Sequence, residues 1–488
     1  MELFGRIIRS QRFKNSFWNS IEAIVYPLLI ILFTPIFIRK LGVEDYGIWM
    51  LVNSILFTLS IFNFGIADAV IKHLPGYYVN KDANGTQSVL SSAFLFSFIL
   101  FLIVVISGWL VSAYLSVFNP FGFTPSKVQI ISVIVSIASI TFGLKLIEQV
   151  FLAAFKGVFR YDIASKISVG VKSVTLLSNV FLALLDYSLL SLFYSALFIS
   201  AVGLLVEFLF VKRIFPGFKF SRKSHSMRKL LNFGVWTWIQ SSLALVALQV
   251  DKFIVTKYFG LEVLSYYSIG YMISSQLHVL FVALSGWIFP EVAAKVGRNE
   301  SINSLYYNMR FLLVGFGLSV IMITYMLKDF IFELWLGSVI YEKSSDYISI
   351  FLFYEAFLLL NIIPFYFLNG SGRERLNTFF ELISKILNII LMIIFFNWLG
   401  AIGLVWGLVV SMIIAVPIQA SFLYSKVLPG KKWFQGLSVI LPSATLVGTL
   451  VFDQIWLKVV LFVLMIYSFK RIYWDLSTIR SFSHVVPK

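Results

Sequence analysis

Residues 34–50 read TPIFIRKLGVEDYGIWM: an apolar run, a knot of charge around one glycine, then a second apolar run. A paler copy, FIVTKYFGLEVLSYYS, stands at 253–268. Two apolar stretches joined by a short Gly-Val/Leu-Glu turn read as two membrane spans and the outer hairpin between them. Recurrence of the hairpin makes it the opening of a repeated unit. Shifting the chain by 218 positions brings Trp18 onto Trp236, Ile21 onto Ile239, Ile36 onto Ile254, Gly42 onto Gly260 and Glu44 onto Glu262.

Composition agrees with spans rather than a soluble core. Of 488 residues, 59% are hydrophobic and only 13% charged, with mean hydropathy +0.90, against roughly 25% charged residues in soluble domains. Apolar stretches of about 20 residues recur along the chain, each long enough to cross a hydrocarbon core of about 30 Å. They do not alternate polar and apolar residues, which excludes a closed barrel. The chain has no cysteine, so disulfides, thiolate chemistry and Cys-based metal sites are excluded. The opening MELFGRIIRSQRFKNS reads as a basic lead into the first span, without a cleavage site.

The pattern predicts an all-α polytopic membrane protein of about fourteen spans, near 16–38, 47–71, 88–115, 128–155, 167–185, 189–211, 230–250, 264–290, 304–327, 347–370, 378–396, 401–424, 435–451 and 455–469. With a cytoplasmic N-terminus, inside segments hold 27 Lys and Arg and outside segments 7, which is the positive-inside signature. Topology therefore explains most of the +16 net charge, and no nucleic-acid partner is needed. The expected organisation is an N-lobe of six spans (1–211), a basic cytoplasmic linker (212–229), a C-lobe of six spans (230–424), and two appended spans with a basic cytoplasmic tail (425–488). Because six is even, the lobes are parallel repeats related by an axis along the membrane normal, and two such lobes enclose a cleft.

The segment KNSFWNSIEAIVYPLLIILFTPIFIRKLGVEDYGIWMLVNSILFTLSIFNFGIADAVIKHL resembles the N-terminal signature of polysaccharide exporters and O-antigen flippases, within the multidrug/oligosaccharidyl-lipid/polysaccharide superfamily. Its second-lobe counterpart, LLNFGVWTWIQSSLALVALQVDKFIVTKYFGLEVLSYYSIGYMISSQLHVLFVALSGWIFPEV, resembles the family's other marker. The resemblance implies the lobed fold of the superfamily's multidrug exporters. It also implies an activity: flipping an undecaprenyl-diphosphate-linked oligosaccharide to the outer leaflet of a bacterial cytoplasmic membrane. Membrane lipids and other polysaccharide-assembly proteins are the implied neighbours.

Such a carrier needs a polar cavity with fixed cations, so intramembrane charge is where its chemistry is sought. Lys172 is the clearest candidate for the substrate phosphates, lying mid-span in SKISVGVKSVTLLSNVF with no acid three or four positions away. Lys145 has Glu148 at i+3 on the same helix face, which suits either phosphate binding or a self-neutralised structural pair. Lys385 with Glu381, and Lys72 with Asp68, lie near cytoplasmic ends and read first as structural pairs. Trp236, Trp238, Gln240 and Tyr271 are candidates for sugar stacking and hydrogen bonding, although aromatic residues also gather at membrane interfaces. Glu22, on a first span bent by Pro27 and Pro35, and Glu355 are candidates for binding a coupling H+ or Na+. His278 reads as a hydrogen-bonded core histidine, and no cofactor or metal cluster is expected.

Three other functions compete. A drug or cation antiporter of the same superfamily would need an acid-dominated cavity. A polymerase or ligase would need a large outer loop with catalytic residues, and the longest here, 328–346, is short. A flippase for the peptidoglycan precursor shares the chemistry and differs in head group. The cation count makes a direct prediction: a cysteine introduced at Ser224 reacts with an impermeant thiol reagent only after cells are permeabilised. Labelling in intact cells would invert the topology.

Overall fold

The computed structural model describes residues 11–216 and 249–426. They are helical throughout, as a lipid environment requires: a helix satisfies its own backbone N–H and C=O groups where no water can. The chain divides into two compact units, Met1–Ser265 and Tyr266–Lys488.

The first unit opens with α1 (Gln11–Leu41), which carries Pro27 and Pro35 inside it. Gly42 alone, at φ 85° and ψ 161°, separates α1 from α2 (Val43–Leu59). The charged knot read as a loop is therefore helix end, break and helix start. Arg39 and Lys40 close α1, while Glu44 and Asp45 open α2, each sign at the favourable end of its helix dipole. Next come a 3-10 turn (Ser60–Asn63), α3 (Ile66–Val79), α4 (Ala83–Phe118), α5 (Pro125–Gly157), α6 (Tyr161–Leu184) and α7 (Leu189–Ile214).

Beyond the undescribed segment, α8 (Val250–Ser285) is broken at Gly260, at φ 83° and ψ −178°. It is followed by α9 (Ile288–Gly297), α10 (Asn303–Met309), a π turn (Arg310–Val314), α11 (Gly315–Met326), α12 (Lys328–Leu336), α13 (Ser338–Gly370) and α14 (Glu374–Lys426), itself broken at Gly400.

The repeat is visible in backbone conformation. Gly42 and Gly260, aligned by the 218-residue shift, adopt nearly the same left-handed extended geometry. A short helix follows the second span of each copy, α3 after Gly65 and α9 after a turn at 286–287. The expected spans 47–71 and 264–290 are each corrected by this: the apolar run continues, but the helix stops at Leu59 in one copy and Ser285 in the other. The cause in the first copy is local, since Phe64 and Gly65 both take left-handed φ. Further on, α5 and α13 are each 33 residues long and lead through a three-residue turn into the next helix. The middle residue of that turn is left-handed in both, Phe159 in one and Gly372 in the other.

Expected spans 230–250, 435–451 and 455–469 lie outside the described residues or almost so, as do the linker and the tail. Among the described residues nine helical stretches are long and apolar enough to cross a membrane.

Packing in each unit relies on close fit, because lipid tails are as apolar as the side chains and provide little drive for helices to associate. In the first unit a core of Leu74, Leu90, Phe94, Phe151 and Phe155 ties α3, α4 and α5 together, with Phe94 and Phe151 ring centroids 4.5 Å apart. In the second, α13 is enclosed along most of its length, and Phe351 meets the edge of Tyr267 at 5.1 Å. Glycines set the closest approach across Gly400: a Cβ on Gly407 would lie 2.5 Å from the Met392 backbone N.

The paired breaks make a stability prediction. Gly260→Ala and Gly42→Ala place a Cβ in a left-handed conformation that costs roughly 1–2 kcal/mol. Each variant should unfold at lower temperature in detergent than the parent, while Gly76→Ala, in helix with open space around it, should not.

Candidate functional site

The first unit holds a polar cavity of about 440 Å³ between α1, the α2–α3 break, α5, α6 and α7. Helical spacing builds its walls. On α5, Lys145, Glu148, Gln149, Leu152, Ala153 and Lys156 recur at three- and four-residue steps and so share one face. On α6, Ser168, Val171, Lys172 and Thr175 do the same. The break that ends α2 contributes Asn63 and Gly65, α3 contributes Asp68, and α1 contributes Tyr26. The breaks that hydropathy did not reveal are thus what bring polar side chains from the second span into the cavity.

Lys145 lies twelve residues before the end of α5, and Lys172 eleven residues after the start of α6. At 1.5 Å per residue both stand about 16–18 Å from the 158–160 turn, near the middle of a core about 30 Å thick. The two ammonium groups are within electrostatic reach of each other, with Glu148 beside Lys145. The Lys172 ammonium also stands 6.0 Å from the Tyr26 ring centroid. Nearer the turn, Lys156 is the charged neighbour of Asp68. Asn63 Nδ2 donates to Gln149 Oε1 at 3.0 Å, leaving amide donors and acceptors for a polar ligand. The wall therefore carries three lysines against two acids, with hydroxyls and amides between them. That set suits an anion bearing hydroxyl groups.

The structure brings together Lys172 and Lys145 from the sequence-based candidates. Lys156, Asp68, Asn63, Gln149 and Tyr26 join them without having been singled out as ligands. The signal for the α5 residues was present as a polar face at helical spacing in an apolar span. Asp68 is not confined to its i+4 pairing with Lys72, because it faces the cavity.

Other candidates fall elsewhere. Trp236, Trp238 and Gln240 lie outside the described residues. Glu22 is on α1, in a stretch whose side chains are not described. Tyr271 packs edge-on against Phe351, centroids 5.8 Å apart, in the second unit. Glu355 is fully buried there and accepts from Ser274 Oγ at 3.3 Å, and its other oxygen lies 3.0 Å from His278 Nδ1. His278 is thus hydrogen-bonded, as the sequence suggested, and its partner is the acid singled out for ion binding. Among the described residues no cluster of His, Asp and Glu could hold a metal ion.

A polytopic helical carrier with an anion-suited cavity is the class these features define. The profile of a family described as "Polysaccharide biosynthesis protein" matches residues 36–344, and the chain belongs to that family. A Shigella flexneri protein named "Putative O-antigen transporter" is 22% identical over 406 residues, 80% of this chain and 92% of that one. Among solved structures, the lipid II flippase MurJ in an inward closed conformation is similar over 94% of this chain and 98% of its own, with TM-score 0.68 and 16% identity. An inward-facing multidrug resistance MATE family transporter of the MOP superfamily is similar over 82% and 96%, with TM-score 0.66 and 13% identity. The fold is that of the MOP transporters, and the chain is a multi-pass membrane protein.

The cavity can be tested by access. In this cysteine-free chain, Thr175→Cys should react with a small hydrophilic thiol reagent in the purified protein. Ala154→Cys, fully buried on α5, should not.

Proposed function

We propose that the protein is a flippase that carries undecaprenyl-diphosphate-linked oligosaccharide across the bacterial cytoplasmic membrane for surface polysaccharide assembly. One observation carries the reading: two lysines from neighbouring helices stand at mid-membrane depth in one polar cavity, with a third near its end. Family membership and the O-antigen transporter relative support it. The activity is transport by alternating exposure of the cavity, without covalent chemistry, and both chain termini are cytoplasmic.

In this mechanism Lys145 and Lys172 take the place of water around the diphosphate. A charged head group without such partners would meet the several-kcal/mol penalty that excludes bare charge from hydrocarbon. Ammonium groups suit a ligand that turns as it crosses, because a point charge holds phosphate from several directions. Asn63, Gln149, Ser168 and Thr175 offer hydrogen bonds to the first sugar. Trp236, Trp238, Gln240 and Tyr271 are our candidates for stacking on and hydrogen bonding to sugar. Glu355, closed by His278 and Ser274, and Glu22 are assigned to the coupling H+ or Na+.

A drug-cation antiporter is disfavoured by three lysines against two acids on the wall. A peptidoglycan-precursor flippase would use the same lysines, and the similarity to MurJ in fold keeps that head group as the second reading.

Flipping in reconstituted vesicles tests the proposal. A hydrogen bond to a charged group is worth about 1.5–3 kcal/mol, so Lys145→Ala and Lys172→Ala should each slow flipping by roughly 10- to 100-fold. Lys172→Arg should keep part of the rate. Native rates in both alanine variants would refute the assignment.

A further inference from the structure

The cavity wall carries a patch that a diphosphate alone does not use. Asn63, in the break that ends α2, donates through Nδ2 to Gln149 Oε1 on α5 at 3.0 Å, and both residues line the cavity. That bond takes up little of what two primary amides offer. Each has two N–H donors and a carbonyl oxygen with two lone pairs, so the pair keeps the capacity both to donate and to accept. Apolar groups flank it. Leu152 and Ala153 stand three and four residues after Gln149 on the same face of α5, and Ala67 lines the cavity from the first turn of α3. Donor, acceptor and small apolar surface thus occur within one helical turn of each other.

Height decides what this patch meets. Gln149 lies four residues beyond Lys145 on α5, and Ser168 lies four residues before Lys172 on α6. At 1.5 Å per residue the amide pair is therefore about 6 Å below the lysines, one turn nearer the 158–160 turn. A head group whose diphosphate sits on Lys145 and Lys172 reaches that level with the sugar bonded directly to it. On that sugar, C2 is the neighbour of the carbon that carries the phosphate.

From this placement we infer that the cavity selects a lipid whose first sugar carries an acetamido group at C2. The group has the three parts that the patch complements: an N–H that donates to an amide oxygen, a carbonyl that accepts from an amide N–H, and a methyl that covers the apolar surface of Leu152, Ala153 and Ala67. A hydroxyl at C2 also donates and accepts, but it brings no methyl and leaves that surface against water. Asn63 and Gln149 are thus specificity-determining residues for the first sugar. The inference rests on the anion-binding reading of this cavity, because the lysines set where the sugar falls.

The test is titration calorimetry of the full-length protein in nanodiscs with three lipids: undecaprenyl diphosphate, the same lipid bearing glucose, and the same lipid bearing N-acetylglucosamine. The parent should bind the acetamido lipid roughly tenfold more tightly than the glucosyl lipid, a difference of about 1.4 kcal/mol. Gln149→Met and Asn63→Leu, which keep side-chain bulk and remove the amide, should each bring that ratio close to one. The sugar-free lipid, which meets the lysines and not the amides, is the internal reference. Equal affinity of the parent for the two glycosylated lipids overturns the inference and leaves the anion site standing, and this arm decides even where a variant fails to fold. A ratio unchanged in both variants, or an equal loss of affinity for all three lipids, makes the amide pair a structural tie and overturns it too. No binding of any lipid by the parent overturns the anion site and the sugar preference together.

Discussion

Hydrocarbon solvates neither a peptide group nor a charge, and this one constraint orders the described structure. Each backbone segment that crosses must close its own hydrogen bonds, which leaves helices. Each charge must reach an end or be gathered with others around water. Charges of the first kind are plain: Lys40 meets Asp186 at 3.0 Å and Lys127 meets Glu44, both at exposed helix ends. Exposed pairs of this sort contribute little. Lys145, Lys172 and Glu148 are of the second kind, lining one cavity among packed helices, whereas Glu207 on α7 is fully buried. The cavity is the place in the first unit where the constraint is met by design of the wall rather than by distance from the lipid.

Hydropathy made the spans and the repeat legible because a run of apolar residues about 20 long has few other uses. The Gly-centred hairpin was legible too, since only glycine accepts the backbone that Gly42 and Gly260 adopt without strain. The breaks at 60–65 and 286–287 were not. Phe64 is apolar, and an apolar residue in a left-handed conformation leaves hydropathy unchanged while ending the helix. Missing that break meant missing Asn63 and Asp68 as cavity residues, because both were counted within a continuous second span.

The candidate site was half legible. Lys145 and Lys172 stand out as charges in apolar sequence, and the structure sets them at one depth. Lys156 and Asp68 looked like end-of-span charges and are that as well, since the cavity extends to the span ends. Glu207 stands in an apolar stretch, but a sequence cannot tell a carboxyl with donors from one without. Glu355 shows the difference: equally buried, it has Ser274 and His278 to hold it.

The repeat also shows how the two units came to differ. Lys172 is eleven residues into α6 and Lys385 eleven residues into the first half of α14, so the lysine occupies the same place in both copies. By the same count Ser168 corresponds to Glu381, and Glu148 on α5 to Asn361 on α13. Each trio has one lysine, one acid and one neutral polar residue, but the acid has changed helices. In the first unit it lies on the long helix beside Lys145, in an open cavity. In the second it lies on the lysine's own helix at i−4, and Asn361 Nδ2 donates to it at 3.2 Å. An acid one turn before a lysine on the same helix is a stabilising neighbour that travels with it. Glu148 has a same-helix neighbour of its own in Lys145, three residues before it, so the first unit groups one acid with two lysines from neighbouring helices. On one scaffold the matching positions thus leave lysine in excess of acid in the first unit, with Lys145 and Lys172 against Glu148, and balanced in the second, with Lys385 against Glu381.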